Sequence, residues 1–186
     1  MALPSIVYKA ELSVADLDRS YYRTHALTIV RHPSETEERM MIRLLAFALH
    51  ADDALGFGRG LSTEDEPDLW QHDLTGAITR WIDVGWPDDK RLRRAAGRSP
   101  SVVVYTFGGA KADMWWKKTA GLVAKVRGLR VLQVPQAQSA ALAGLAARSM
   151  RLNATIEDGQ SWIGDERTQV QVTPIAWHGE AGGASG

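Results

Sequence analysis

Hydrophobic and polar residues alternate at the beginning of the chain in a pattern that predicts two paired strands. Residues 6–14 and 21–30 are rich in β-branched and aromatic side chains, which favour strands. The short polar segment 16–20 separates them. Because this link is short and polar, we expect the two strands to form a hairpin.

A helical spacing follows and ends near His50. Ser34 and Glu37 have the spacing of a capping box, so Ser34 is predicted to cap the helix start. The apolar residues that recur at helical intervals, and that should face a core, are Met41, Leu44, Leu45 and Ala48. We therefore expect an amphipathic helix after the hairpin.

The middle of the chain predicts strands interrupted by one basic helix. Short strands are expected at 67–70 and 77–84, with room for another near Phe57. Pro87 is suited to begin a helix that Gly97 ends. The continuous apolar run 101–107 is typical of a strand covered on both faces.

The remaining pattern predicts a helix at 111–126, a strand at 130–134 and an alanine-rich helix at 136–147. An antiparallel meander should follow over 151–172, with a hairpin turn at Asp158-Gly159. The predicted fold is therefore α/β with a mixed sheet, an N-terminal hairpin and C-terminal antiparallel strands.

Length and composition predict one domain. The chain has 186 residues, enough for a core of its own. We expect this domain to span residues 1–178 and the Gly/Ala/Ser-rich segment 179–186 to be a disordered tail. No signal peptide and no membrane-spanning run is evident, so a cytoplasmic location is expected.

Charge and cysteine content exclude some classes of function. Basic and acidic residues balance at 22 each, so no overall positive field would draw the protein to nucleic acid. Any such binding must use a local patch, for which the candidates are Arg91, Arg93, Arg94 and Arg98. A solvated helix face is an equal alternative for these arginines. The absence of cysteine excludes disulfides, thiolate metal sites and cysteine nucleophiles.

The order of predicted elements resembles the αβββαβ core of the PD-(D/E)XK nuclease superfamily. That core carries an aspartate on its second strand, often after proline, and an acid-x-lysine pair on its third. Pro67-Asp68 matches the first element, and Asp83-Val84-Gly85 matches the second except that glycine stands where lysine would be. This resemblance implies a restriction-endonuclease-like fold with Asp68 and Asp83 at its centre.

The chain also resembles the YaeQ family from residue 1 to residue 177. The strings that carry the resemblance are HPSETEERMM (32–41), RLLAFALHA (43–51), FGRGLSTEDEPDLW (57–70), WIDVG (81–85) and VVVY (102–105). YaeQ proteins are bacterial and similar in fold to PD-(D/E)XK nucleases. The family therefore implies a fold more firmly than an activity.

The expected chemistry is phosphodiester hydrolysis with Mg²⁺ or Mn²⁺ held by Asp68 and Asp83. Lys90 in the following helix is the candidate for the missing lysine, which would steady the transition-state charge. Glu38, which faces inward near its helix start, is a candidate third acid. Glu64 and Asp73 are weaker options, placed by nearness in sequence alone.

Other interpretations of these residues stay open. Asp68 could be a turn aspartate that bonds its own backbone, and Asp83 could form a structural ion pair, with Arg39 or Arg43 as the suggested partner. Glu38 could simply favour the helix dipole. The sequence thus leaves three functions: a Mg²⁺-dependent nuclease or related phosphodiester-processing enzyme, an inactive nuclease-like fold that binds nucleic acid or protein, and a structural interaction protein.

Overall fold

The structure is a computed structural model that describes residues 3–180, apart from the side chain of Ser62. These residues form four helices and two mixed sheets. In chain order the elements are β1 (Ile6–Asp16), β2 (Tyr21–Arg31), α1 (Glu37–Leu49), β3 (Leu55–Phe57), a 3₁₀ helix (Gly60–Ser62), β4 (Leu69–His72), β5 (Ile78–Val84), α2 (Asp89–Arg98), β6 (Val102–Thr106), α3 (Ala110–Val123), β7 (Leu129–Gln133), α4 (Gln136–Ala143), β8 (Ser149–Glu157), β9 (Gln160–Gly164), β10 (Gln169–Val172) and β11 (Ile175–His178).

The chain divides into two compact units. The described part of the first unit is 3–51 and 137–173, and that of the second is 52–136 and 174–180. A single domain over 1–178 stays a prediction. The predicted tail at 179–186 lies outside the described residues beyond Glu180. None of the helices within 3–180 combines the length and the hydropathy that a membrane span requires.

The sheet of the first unit has the strand order β10-β9-β8-β1-β2. β1 and β2 form the predicted antiparallel hairpin, whereas β8 lies parallel to β1. Asp158 and Gly159 join β8 to β9, and both have positive φ, at 52° and 72°. This conformation matches the right-handed twist of paired strands, so the predicted hairpin turn is confirmed.

The start of α1 differs from the prediction. Thr36, not Ser34, caps the helix, and its side chain accepts the Arg39 N–H at 3.1 Å. Thr36 lies directly before the first helical residue, Glu37, so its oxygen reaches an exposed amide of the first turn. The Ser34 hydroxyl lies two residues too early and instead bonds the His32 ring at 2.7 Å. The four apolar residues predicted for the core face of α1 are all buried.

A buried ion network surrounds Glu35 in the first unit. Its Oε1 accepts hydrogen bonds from Arg39 Nη1 at 2.7 Å and Arg43 Nε at 2.8 Å. Arg43 Nη2 also donates to the other carboxylate oxygen at 2.8 Å. Both arginines that the sequence suggested as partners of Asp83 are therefore paired with Glu35, and that suggestion is wrong.

The sheet of the second unit has the order β11-β7-β6-β5-β4-β3. β5, β6 and β7 are parallel, and β3, β4 and β11 run antiparallel to their neighbours. Every residue of β6 is buried, as its continuous apolar run predicted. One face carries α2 and α3 through a cluster formed by Trp81, Leu92, Ala95, Val102, Val104, Val123, Leu129 and Val131.

The succession α1-β3-β4-β5-α2-β6 is the predicted order of elements, and it includes the short strand at Phe57. Trp115 and Trp116 pack against the apolar cluster of the second unit. These two tryptophans therefore contribute to the apolar core of that unit.

Candidate carboxylate site

Asp68 and Asp83 face each other across two neighbouring strands. β4 and β5 pair Trp70 with Trp81 and Leu69 with Ile82, so the next step of the register sets Asp68 opposite Asp83. Directly opposed residues of antiparallel strands project to the same face. Their relative exposures are 1% and 2%. We call these two residues the carboxylate pair.

Arg91 binds Asp83 through two hydrogen bonds, one to each carboxylate oxygen. Its Nη2 donates to Oδ1 at 2.7 Å and its Nε donates to Oδ2 at 2.8 Å. Trp81 Nε1 adds a third bond to Oδ2 at 3.1 Å. Such bidentate, charge-assisted contacts are stronger than single neutral hydrogen bonds. The partner of Asp83 is therefore an arginine, as one interpretation of the sequence held, but it comes from the first turn of α2.

Local structure explains why Arg91 holds that place. Asp88 caps α2 and accepts the Arg91 N–H at 2.8 Å, which fixes the first helical turn directly after β5. Lys90, one residue earlier, is exposed. Consecutive helical residues differ by about 100° in direction, so Arg91 faces the carboxylate while Lys90 faces solvent. The structure does not bring Lys90 to the carboxylate pair.

Asp68 is held by the backbone around it. Its Oδ2 accepts the Val84 N–H at 2.7 Å, a bond across the two strands rather than within a turn. Its Oδ1 lies against Gly60, where an added Cβ would be 2.7 Å from the oxygen. Gly60 also has a φ of 51°, which favours glycine. The backbone at Gly60 thus packs against the Asp68 carboxylate.

The pKa of Asp83 is subject to opposing influences. Burial raises the pKa of Asp83 above the ordinary aspartate value, the hydrogen bond from Arg91 opposes this rise, and the negative charge of Asp68 adds to it. Buried carboxylates with perturbed pKa values are concentrated at functional sites, although structural ion pairs also produce them.

Residues 63–66, here called the acidic loop, are held by arginines of α2. The arginine side chains donate hydrogen bonds to main-chain carbonyl oxygens of the loop. Arg91 donates to the Glu64 carbonyl at 3.3 Å and to the Glu66 carbonyl at 3.0 Å. Arg94 donates to the Glu64 carbonyl at 3.0 Å, and Arg98 donates to the Asp65 carbonyl at 3.0 Å. Arg94 also pairs with the Asp65 carboxylate at 3.3 Å. Three arginines of the predicted nucleic-acid patch therefore bind the protein itself, whereas Arg93 is exposed.

The other candidate acids have separate surroundings. Glu38 belongs to the first unit and accepts the Ser139 hydroxyl at 2.6 Å, so its part in the site stays a prediction. Asp73 closes a turn by accepting the Thr75 and Ala77 amides at 2.8 and 3.0 Å, and these bonds, with the Thr75 hydroxyl, lower its pKa. Glu64 has an exposed side chain.

The carboxylate pair fits a Mg²⁺ ion in donor type and number, since one or two carboxylates plus waters suffice for this metal. No cluster of three or more histidine or acidic side chains that could hold a metal occurs in the described part of the chain. Both oxygens of Asp83 are engaged by Arg91. A metal would therefore share an Asp83 oxygen with that arginine or displace it from one.

Sequence reasoning found both acids but missed Arg91 and Gly60. Arg91 was assigned only to a surface patch, although its position three residues after the Asp88 cap would have indicated a fixed first turn. Gly60 carried no usable signal, because its contact with Asp68 depends on how the chain returns from β3 to β4.

Comparison with known proteins identifies the family. A sequence profile of the YaeQ protein family matches residues 1–174. The uncharacterised protein YaeQ of Salmonella typhi is 42% identical over 177 residues, which cover 95% of this chain and 98% of the relative. The Escherichia coli K12 protein of that name is 40% identical with the same coverage.

Solved structures agree. The crystal structure of YaeQ from Xanthomonas axonopodis pv. citri matches 95% of this chain and all of that chain, with a TM-score of 0.90 and 46% identity. The Pseudomonas syringae YaeQ structure matches 97% of this chain and all of that chain, with a TM-score of 0.92 and 38% identity. The chain belongs to the YaeQ family.

Proposed function

We propose that this member of the YaeQ family is a Mg²⁺-dependent nuclease, or another phosphodiester-processing enzyme, with a PD-(D/E)XK-like core centred on the carboxylate pair. The observation that carries the proposal is the register that opposes two nearly fully buried acids on one sheet face. Two buried carboxylates beside each other are costly unless a cation or a proton compensates them. A divalent ion would compensate both.

The residues on hand have defined parts in this proposal. Asp68 and Asp83 would hold the ion, which supplies a polarised phosphorus, an activated water and a neutralised leaving oxygen. Arg91 would take the part of the lysine that is missing at Gly85. Its guanidinium, already beside Asp83, presents a planar fork that fits phosphate oxygens as well as carboxylate oxygens.

The substrate would approach along α2. Arg94 and Arg98 now bind carbonyl oxygens of the acidic loop, and phosphate oxygens could take the place of those carbonyls. Displacement of the acidic loop would then expose both the arginines and the carboxylate pair. Nucleic acid is the substrate class that presents phosphates in such a row.

A second candidate is a nuclease-like binding module without catalysis. The specific observation in its favour is the double hydrogen bond that Arg91 makes to Asp83, together with the glycine at position 85 and the exposed Lys90. In this case Arg91 is a permanent structural partner, and the arginines of α2 bind nucleic acid or an acidic protein surface.

Metal titration tests the centre of the first proposal. Calorimetry with Mg²⁺, and paramagnetic resonance with Mn²⁺, should detect one site in the wild type and none in Asp83→Asn or Asp68→Asn. Asp73→Asn, an acid of the same unit that closes a surface turn, is the matched control and should keep the metal. Equal binding by all four proteins, or by none, would reject the metal site.

A cleavage assay separates the two candidate functions. Single-stranded and double-stranded DNA, branched DNA and RNA should be incubated with the protein and Mg²⁺ or Mn²⁺. Cleavage that the Asp68→Asn/Asp83→Asn double variant loses supports the enzyme. Binding of the same nucleic acids without cleavage supports the module, and cleavage that survives in the double variant points to a contaminating nuclease.

A further inference from the structure

Thr106 is a buried polar residue that neither the carboxylate pair nor the arginines of α2 explain. Its side chain has a relative exposure of 0%, and its Oγ1 has no hydrogen-bond partner among the described residues. Native proteins satisfy the large majority of buried hydroxyls, and each exception calls for an explanation such as a ligand. Thr106 ends β6, the central strand of the parallel group in the second unit.

Thr106 lies close to the beginning of α3. Alternation along β6 puts Thr106 on the face of Val102 and Val104, which carries α3. α3 begins at Ala110, four residues after Thr106, and packs on this face through Val123 near its end. The chain therefore turns back over the sheet directly after β6, and the first turn of α3 lies at the Thr106 end.

The backbone between Thr106 and α3 has the form of an anion cradle. Gly108 and Gly109 have positive φ values of 93° and 54°, and α3 begins after Gly109 without any side-chain cap. Successive amides in such turns, at a helix start, attract negative charge. An oxygen already approaches this point, because Gln136 Oε1 lies within 2.4 Å of where a Cβ at Gly109 would be.

A lysine adds positive charge at the same place. Lys111 is in the first turn of α3, and its Nζ lies 3.6 Å from the centre of the Trp86 ring. Trp86 is in turn fixed by its bond to the Phe107 carbonyl at 2.9 Å. Cations are unfavourable at a helix N-terminus, and only Asp113 offsets this one within that turn among the described residues. An anion would relieve both the lysine and the helix end.

A glycine lies beside Thr106 in the sheet. The register of β5 with β6 pairs Val84 with Tyr105, so its next step sets Gly85, which has no side chain, beside Thr106. On the other side Thr106 pairs with Gln133, whose amide donates to the Val134 carbonyl at 3.2 Å. The carboxyl ends of parallel strands are where open α/β sheets bind ligands.

We propose that a phosphate-type oxyanion binds at the start of α3, held by the Thr106 hydroxyl, the amides of Gly109 and Ala110 and the Lys111 ammonium group. Gln136 yields its place to the ligand or turns its amide N–H₂ towards it. The oxyanion is free phosphate or a terminal phosphate ester. This site lies two residues along β6 from Val104, the strand partner of Asp83, and its test does not depend on the proposed nuclease activity.

The test uses the full chain and inorganic phosphate as the probe, at constant ionic strength set with chloride. We expect saturable binding by calorimetry and a matching rise in Tm. Thr106→Val and Lys111→Gln should each weaken binding about tenfold or more, as the loss of one hydrogen bond to a charged ligand does. Lys117→Gln, an exposed lysine on the same helix, is the control and should bind phosphate as the wild type does.

Loss of binding in the Thr106 variant can be distinguished from loss of folding. Thr106→Val removes a hydroxyl without a described partner while keeping the shape of the side chain, so its Tm without phosphate should be at least that of the wild type. A second arm compares dinucleotides with and without a 5′-phosphate as competitors. Competition by the phosphorylated form supports an ester ligand, and competition by phosphate alone supports the free ion. No saturable binding, or equal binding by wild type and both site variants, overturns the proposal.

Discussion

Two buried ion networks in this protein differ in their arrangement. In the first unit, one acid, Glu35, is shared by Arg39 and Arg43. In the second unit, two buried acids lie opposite each other, and Arg91 binds Asp83. The Glu35 network is complete as it stands, because its acid is fully engaged and Arg43 also bonds the Val30 carbonyl.

This difference between the Glu35 network and the carboxylate pair indicates which of them is a candidate for function. Glu35 lies between two arginines and needs no further cation. It holds α1 to the segment that precedes this helix. Burial, together with the negative charge of Asp68, raises the pKa of Asp83, and a metal or a proton would relieve the repulsion between these two opposed acids. The same residue types thus form a structural network in one unit and a candidate site in the other.

Removal of Arg91 should have the largest effect. Arg91→Ala leaves the carboxylate pair without its described cation, and we expect the free energy of unfolding to fall by about 3–5 kcal/mol. Urea unfolding at pH 7 measures this loss. Mg²⁺ should restore part of the stability, because the metal no longer competes with the guanidinium.

The neighbouring residue provides the control. Lys90→Ala should change the free energy of unfolding by less than about 0.5 kcal/mol, since its side chain is exposed. If Arg91→Ala and Lys90→Ala lower the free energy of unfolding by the same small amount, Arg91 does not stabilise the carboxylate pair.

The Glu35 network should respond to mutation but not to metal. Glu35→Gln leaves two arginines without their anion, and we expect a loss of about 3 kcal/mol in the free energy of unfolding. Mg²⁺ should restore none of it. A recovery with Mg²⁺ equal to that of Arg91→Ala would show that the metal acts on the whole protein rather than on the carboxylate pair.

A glycine substitution tests the packing on Asp68. In Gly60→Ala the new methyl group meets Asp68 Oδ1 at 2.7 Å, in a backbone conformation with positive φ. We expect a loss of about 1–3 kcal/mol, measured by thermal unfolding. Gly97→Ala is the matched control, because its Cβ meets nothing within 4 Å and lies inside α2.

The control should move in the opposite direction. Alanine is the better helix former, so Gly97→Ala should gain about 0.5–1 kcal/mol. If both substitutions change the stability in the same direction, the result would argue against a close contact between Gly60 and Asp68.

The smallest expected effect is on pH dependence. The pKa of Asp83 is raised in the folded protein above its unfolded value of about 3.9. Between these two values the folded state holds a proton that the unfolded state has released, so stability falls as pH rises through that interval. Asp83→Asn removes this titration.

The measurement is the free energy of unfolding of wild type minus that of Asp83→Asn, followed upward from about pH 4. The difference should decrease with rising pH. An increase would mean that Arg91 outweighs burial and holds the pKa of Asp83 below its ordinary value.

Much of the fold was predictable because it depends on local patterns. Alternation gave the β1–β2 hairpin, helical spacing gave the buried face of α1, and the turn chemistry of Asp158-Gly159 gave the β8–β9 hairpin. That Asp68 and Asp83 lie together was implied by the resemblance to the nuclease core, and local patterns alone did not pair their strands. Local spacing did not identify the cap of α1, since Ser34 and Thr36 differ only in which one directly precedes the helix.

The sequence by itself determined which residues could carry chemistry: two acids on strands, a basic helix after them and no cysteine. Only the tertiary structure decided how they combine. Rotation by about 100° per residue turned Arg91 rather than Lys90 to Asp83, and the return of the chain after β3 placed Gly60 on Asp68. These contacts join residues far apart in sequence, and their geometry depends on packing that no local pattern records.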